Sequence, residues 1–309
     1  MEDLSDPPFR YVCKEYGADL MYTEFISSDG LIRHGAKSVR KLEIFDYERP
    51  IGIQLYGHLV EPMVEATRMA EKARPDLIDI NFGCPVKKIA RRGAGAGMLR
   101  DVPLMVRMTE AIVQQTRLPV TVKTRLGWDD QNKNILEVAL RLQDAGIKAL
   151  TIHGRTGTQL YKGQADWSLI GEVKNHPDIE IPIIGNGDIT DPETAAERFT
   201  QYGVDAIMIG RATVGKPWIF REIKHYLETG ETLPPPSLKE KVSLARMHFQ
   251  RSLEWKGDPR GILEMRRHFS NYFKGLPDFK EIRLKLVTSL DVGEINDILD
   301  LIDEKYASI

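Results

Sequence analysis

Residues 181–212 read IPIIGNGDITDPETAAERFTQYGVDAIMIGRA. An apolar run, Ile181–Gly185, ends in a glycine turn, and Asp191 followed by Pro192 signals a helix start. A second apolar run, Ala206–Gly210, follows the helix and closes in Gly210-Arg211. Strand, helix and strand in this order make one unit of a parallel sheet. Working outward, the same alternation runs from residue 18 to about 227. Further strand candidates are Leu20–Phe25, Pro50–Tyr56, Leu77–Asn81, Pro119–Thr124 and Ala149–His153. Helix signals lie between them, from Glu61 to Ala73 with Pro62 in the first turn, and from Val102 to Gln115 with Asp101 at the cap and Pro103 just inside.

That makes seven strands where a closed (β/α)8 barrel needs eight, and the helical stretch Pro7–Tyr16 begins almost at Met1. The expected fold is an α/β (β/α)8 TIM barrel whose first strand is missing or truncated in this chain, with an open seven-stranded sheet as the alternative. Around residues 228–238 the composition turns proline-rich (LETGETLPPPSLKE), as in a linker. Beyond it apolar residues recur at helical spacing over Val242–Trp255, Ile262–Lys274, Phe279–Ser289 and Glu294–Glu304. The expected domains are a barrel over residues 1–230 and a small all-α domain over 236–309.

Composition narrows the function classes. A net charge of −2 gives no global nucleic-acid signature, so contact with RNA needs local basic patches. Two cysteines, Cys13 and Cys84, are too few for a disulfide framework or a thiolate metal cage, and no metal is expected. The start MEDLSD is acidic and unlike a signal peptide, and no apolar run approaches the ~18 residues of a membrane span, so a cytoplasmic protein without membrane contact is expected.

In a parallel barrel, function gathers at the C-terminal ends of the strands. Two glycine turns there, Asn186-Gly187-Asp188 and Gly210-Arg211, let backbone N–H groups approach a phosphate. Lys123 ends the strand VTVKT, where a cation can stabilise an anionic ring such as a reduced flavin or serve as an ion-pair partner. Gln54 ends IGIQ with an amide able to donate and accept, and His153 and Arg155 in TIHGRT add nitrogen donors. Cys84 follows Leu77–Asn81 in NFGCPVKKIARRGAGAGML, in a turn rather than on a regular element. A thiol there stays protonated at neutral pH and can act as a general acid, unless Lys87, Lys88, Arg91 and Arg92 depress its pKa or bind phosphates instead. Hydride to one carbon and a thiol proton to its neighbour would reduce a polarised C=C bond.

NFGCPVKKIARRGAGAGML, VTVKTRLGW, IHGRTGTQLYKGQADW, IIGNGDI and IMIGRATVGKPWIF, in this order, resemble the tRNA-dihydrouridine synthases, as does MRRHFSNYFKG in the helical tail. The resemblance implies an FMN-containing barrel, a helical tRNA-binding domain, and NADPH-dependent reduction of the uracil C5=C6 bond at certain tRNA positions. It implies that Cys84 protonates C5 while reduced FMN delivers hydride to C6. Gln54 and Lys123 would hold the flavin ring, with His153 beside it. Asn186, Gly187, Asp188, Gly210 and Arg211 would hold the phosphate. Asn81, Arg125 and Arg155 would approach the nucleotide. Met1 and Glu2 stand where the family places an Ala-Pro-Met stretch under the flavin, of which little remains here.

The extracted base needs a grip on the rest of the tRNA. From Arg251 to Lys285 there are nine Lys or Arg against five Asp or Glu. Ile262, Met265, Phe269 and Phe273 form an apolar stripe, leaving Arg266, Arg267, Asn271 and Lys274 on other faces. With Lys87, Lys88, Arg91 and Arg92 they make a two-part basic track for tRNA. No protein partner is indicated, and a monomer is the default. The alternatives are an FMN-dependent dehydrogenase or reductase of a small pyrimidine of the dihydroorotate type, a non-catalytic RNA-binding barrel, and a sugar-phosphate isomerase, which would leave Cys84 without a task.

Overall fold

The structure is a computed structural model that describes residues 1–307. The chain forms two compact units, one of Met1–Ser5 with Asp19–Ile209, the other of Asp6–Ala18 with the chain from Gly210 onward. The proline-rich stretch at 228–238 therefore lies within the second unit.

The first unit is built on one wholly parallel sheet. Its strands are β1 (Met21–Tyr22), β2 (Ile26–Ser27), β3 (Ile51–Tyr56), β4 (Leu77–Asn81), β5 (Val120–Arg125), β6 (Ala149–His153), β7 (Ile183–Asn186) and β8 (Ala206–Met208). β1 and β2 both pair with β3, and from there each strand pairs with the next, so the sheet has seven positions. Of the expected continuous strand Leu20–Phe25 only β1 forms, and β2 begins just beyond its end. They are separated by residues 23–25, where the Thr23 N–H bonds the Gly52 carbonyl and its hydroxyl accepts the Gln54 N–H at 3.2 Å. β1 and β8 do not pair among the described residues, so the sheet is open.

The connecting helices start where the sequence signals them. Asp101 and Asp191 accept the Leu104 and Thr194 N–H groups at 3.0 and 2.7 Å, each with a proline in the first turn. Gly203, with φ 67°, ends the second of these helices, Pro192–Tyr202.

The side chains of the sheet divide by parity. Ile51, Ile53, Leu55, Ile78, Ile80, Val122, Leu150, Ile152 and Ile183 are buried under the helices. The opposite face holds Gln54, Asp79, Asn81, Thr121, Lys123, Arg125, Thr151, His153 and Asn186, set side by side by the registers Gln54↔Asp79↔Thr121, Asn81↔Lys123↔Thr151 and Arg125↔His153↔Asn186. Burying the apolar row supplies the stability, at roughly 1.5–3 kcal/mol per large aliphatic side chain. The polar row is thereby free for chemistry.

The second unit is helical: Pro7–Glu15, Ile219–Thr229, Leu238–Lys256, Arg260–Tyr272, Lys280–Thr288 and Val292–Lys305. Ser237 and Glu240 cap the long helix reciprocally, the hydroxyl taking the Glu240 N–H and the carboxylate the Ser237 N–H. The expected stripe Ile262, Met265, Phe269 and Phe273 is buried with Phe249, Leu286, Ile295 and Leu299, and Phe249 meets Phe269 edge-on at 5.4 Å. Lys256 is buried between the carboxylates of Asp6 and Glu264. No helix among the described residues is long and apolar enough to cross a membrane.

Candidate active site

The polar row ends in loops at the C-terminal side of the sheet, and these loops seat the thiol. Cys84 lies three residues beyond β4. Its N–H and that of Gly83 both donate to Asn81 Oδ1 at 3.0 Å, while its carbonyl accepts the Ala96 N–H at 2.9 Å. The return stretch can close this way because Gly95 has φ 55°, and a Cβ there would stand 2.6 Å from the Cys84 carbonyl oxygen. Arg125 ties the end of β5 to the same turn, giving Nε–H to the Gly83 carbonyl at 2.7 Å and Nη1–H to the carbonyls of Thr156 and Leu160.

Burial raises the Cys84 thiol above its ordinary pKa; a backbone N–H at Val86 and the nearby charges of Arg125 and Lys123 oppose that, and Glu2 adds to it. The thiol thus keeps its proton at neutral pH. Lys87, Lys88, Arg91 and Arg92 are solvent-exposed on the short turn of helix Lys87–Ala90 and beside it, and they do not lower the thiol. The cations that act on it come from β5.

Lys123 is half-buried. Burial, with Arg125 beside it, lowers its pKa to about 8, against the opposing charge of Asp79. Its ammonium makes no hydrogen bond or ion pair among the described residues, so it is available to an acceptor brought by a ligand. Gln54 is engaged through both ends of its amide, Nε2 donating to Asp79 Oδ2 at 2.6 Å and Oε1 accepting from Asn81 Nδ2 at 2.7 Å. One hydrogen of its amide remains for a ligand.

His153 is in register with Asn186, whose Nδ2 donates to the Met208 carbonyl at 2.7 Å. Gly187 has φ 129°, and a Cβ added there would lie 2.7 Å from that of Ala165 and 3.2 Å from the His153 ring. Only glycine leaves this turn open. Arg155 is 2 % exposed. Its guanidinium goes to the carbonyls of Lys162 and Gly163, to Asp188 Oδ2 at 2.6 Å, and to His153 Nε2 at 3.3 Å. The Asp188 carboxylate also accepts the Ala165 N–H at 2.8 Å.

The first unit therefore brings Gln54, Asn81, Cys84, Lys123, Arg125, His153, Arg155 and Asn186–Asp188 to one face and rim. Met1 and Glu2 belong to it too: the Met1 amino group bonds Ser5 Oγ at 2.6 Å, and Glu2 pairs with Lys37 and Lys41 at 3.2 and 2.6 Å. Gly210, Arg211, Arg266, Arg267 and Lys274 belong to the second unit. Arg211, Arg267 and Lys274 are exposed there, while Arg266 is half-buried and donates to the Thr288 carbonyl at 3.3 Å.

Sequence reading missed Asp79 and Thr121. Thr121 Oγ1 donates to Asp79 Oδ1 at 2.6 Å, and Asp79 is fully buried. The signal for Asp79 was a lone charge inside the apolar strand LIDIN, two residues before Asn81 and so on the same face.

Comparison with known proteins agrees with this geometry. The dihydrouridine synthase family model matches residues 1–305. The chain is 41 % identical over 286 residues to tRNA-dihydrouridine synthase B of Pseudomonas putida, covering 92 % of this chain and 84 % of that one. It is 38 % identical over 313 residues to a probable tRNA-dihydrouridine synthase of Rickettsia bellii, covering 100 % and 94 %. Among solved structures the fold is similar to histamine dehydrogenase from Rhizobium sp. 4-9, with TM-score 0.54, 12 % identity, 80 % of this chain and 46 % of that longer chain. It is also similar to a 2-naphthoyl-CoA reductase complex, with TM-score 0.54, 10 % identity, 73 % and 47 %. With the family's pattern matched almost from end to end, and the thiol, the lysine and the Gly187 turn on one rim of the first unit, the chain belongs to the dihydrouridine synthase family.

Proposed function

We propose that this protein makes dihydrouridine in tRNA, reducing the C5=C6 bond of specific uridines with FMN as its flavin and NADPH as reductant. The observation that carries the reading is a protonated thiol, Cys84, on a rim shared with a cation, Lys123, that makes no hydrogen bond or ion pair among the described residues. When bound, FMN supplies the hydride to uracil C6. The residues present fit that group. Lys123 and the spare hydrogen of Gln54 suit the oxygens and nitrogens of its ring, and Met1, Glu2 and His153 stand to serve beside it. The opening at Gly187, with Asn186 and Asp188, suits its phosphate.

Cys84 holds the proton destined for C5, and burial keeps it there until transfer. The thiolate left behind is favoured by Arg125 and Lys123. Asn81 seats the turn and, with Arg125 and Arg155, shapes the place for the nucleotide. The base must leave its stack to reach this rim. Lys87, Lys88, Arg91 and Arg92, and in the helical unit Arg266, Arg267 and Lys274, supply the grip on tRNA phosphates, so binding should weaken steeply with salt. The first unit is then the catalytic part, the helical unit the tRNA-binding part, and the protein a cytoplasmic monomer.

Two measurements test this. tRNA from cells lacking the protein should carry one or more uridines two hydrogens lighter than in the parent strain. Purified yellow protein should be bleached by NADPH and reduce tRNA far faster than free uracil or orotate. Equal turnover of a free pyrimidine would instead make it a small-molecule reductase, and unchanged tRNA masses would refute the reading.

A further inference from the structure

Asp79 is named for neither flavin nor nucleotide, yet it anchors a chain of side-chain hydrogen bonds that runs to the thiol. Oδ1 accepts from Thr121 Oγ1 and Oδ2 from Gln54 Nε2, each at 2.6 Å. Gln54 Oε1 accepts from Asn81 Nδ2 at 2.7 Å, and Asn81 Oδ1 accepts from the N–H groups of Gly83 and Cys84 at 3.0 Å. An ionised carboxylate only accepts. It therefore dictates which end of the Gln54 amide faces it. That amide dictates Asn81, and Asn81 is left presenting oxygen to the turn that carries the sulfur. Turn the Gln54 amide over and its NH2 faces that of Asn81; turn Asn81 over as well and its NH2 faces two backbone N–H groups. A single acceptor at the head of the row sets the direction of every link.

We propose that Asp79 is a positioning residue of the reaction, its carboxylate setting the direction of the Gln54–Asn81 amide chain and, through it, the spare hydrogen of Gln54 and the seat of Cys84. This rests on the reading that Gln54, Asn81 and Cys84 serve the flavin and the uracil.

The burial of Asp79 separates this role from a merely structural one. Asp79 is 0 % exposed, on β4 between β3 and β5, with the apolar Ile53, Ile78, Ile80 and Val122 on the opposite face of these strands. Burial raises its pKa from 3.8 to about 6, against the hydrogen bonds from Thr121 and Gln54 and the charge of Lys123. A carboxyl raised above its unfolded value binds more protons folded than unfolded between those two values. Stability then falls as pH rises through that window and stays lower at neutral pH. The ionised form is thus a cost to the fold at neutral pH, as functional groups often are. Tyr22, whose own pKa burial and Asp79 both raise, also feels this charge.

The test is a double-mutant cycle read by FMN binding, followed through quenching of FMN fluorescence. Asp79→Leu should weaken FMN about tenfold, the equivalent of one misdirected hydrogen bond. In a Gln54→Leu background the same change should alter FMN affinity less than about twofold, because the amide it directs is gone. Asp79→Asn, which can still turn an oxygen to Gln54 and its NH2 to the Thr121 hydroxyl, should recover affinity to within about threefold.

Additive effects of Asp79→Leu and Gln54→Leu would overturn the proposal. So would an Asp79→Asn variant as weak as Asp79→Leu. Asp79→Ala is the smaller replacement, and failure of both it and Asp79→Leu to fold would make Asp79 structural and overturn the proposal too. If Gln54→Leu alone left FMN affinity unchanged, the reading of Gln54 as a flavin contact would fail, a result distinct from an additive cycle.

Discussion

The Arg155 guanidinium and the Asp188 carboxylate meet at 2.6 Å, and the same guanidinium reaches His153 Nε2 at 3.3 Å. A guanidinium has only hydrogens to give, so Nε2 accepts and His153 carries its proton on Nδ1. Arg155 also holds the carbonyls of Lys162 and Gly163, which fastens the loop after β6 to the glycine turn after β7. Arg155→Lys keeps the charge but loses the fork. Because Asp188 remains one-third exposed, the expected cost is about 2–3 kcal/mol, below the usual range for breaking a fully buried pair. A shift of the urea midpoint measures it, and an unchanged midpoint would show that the fork carries no stability.

For Cys84, burial keeps the thiol protonated beyond neutral pH. A step that needs this proton should hold through the neutral range and be lost only as pH rises through the raised pKa. Cys84→Ala should keep FMN and tRNA affinity within about twofold while lowering kcat by on the order of 10²–10⁴. Loss of FMN from this variant would mark the cysteine as structural.

Lys123 moves the other way, lowered to about 8 by burial and Arg125. It sheds its charge as pH rises through that value, before an unburied lysine would. FMN affinity in the wild type should therefore decline above about pH 8. Lys123→Met should bind FMN weakly at every pH, and Lys123→Arg, cationic throughout, should flatten the profile. A titration of FMN binding between pH 6 and 10 checks all three. A wild-type profile flat across that range would refute the role of this cation.

In the helical unit, His248 and His268 meet edge-on at 4.4 Å between ring centroids, with Phe9 against both and Tyr272 hydroxyl 2.8 Å from His248 Nδ1. Burial lowers both imidazoles, His268 to about 4 and His248 well below its ordinary value. Below pH 6.5 the unfolded chain therefore binds more protons than the folded one, and stability falls as pH drops from 6.5 towards 4. The melting temperature should fall markedly between pH 7 and 5. His268→Gln should remove part of that fall, and an equal slope in wild type and variant would assign it elsewhere.

Much of the fold was legible because strand ends and helix caps are local signals. Asp101 and Asp191 cap the helices their sequence context announces, and the stripe Ile262, Met265, Phe269 and Phe273 is buried as its spacing requires. Leu20–Phe25 misled because its apolar content does not reveal that the Thr23 hydroxyl takes the Gln54 N–H in place of a backbone carbonyl and so interrupts the ladder to β3. The rim residues were legible as strand ends. Their partners were not: that Arg125 rather than the run Lys87–Arg92 acts on Cys84 depends on a contact between β5 and the turn after β4, made by residues 42 apart in sequence. Asp79 was hidden for the same reason, since a lone acid in an apolar strand acquires meaning only from Gln54 and Thr121 beside it.

The parity of the sheet has a practical consequence for altering this protein. In β5, positions 120, 122 and 124 are occupied by Val, Val and Thr and positions 121, 123 and 125 by Thr, Lys and Arg, so scaffold and reagent occupy interleaved addresses on one strand. Swapping residues at the second set retunes the chemistry while the scaffold is left alone. Inserting or deleting a single residue upstream in that strand would exchange the two sets and forfeit both at once.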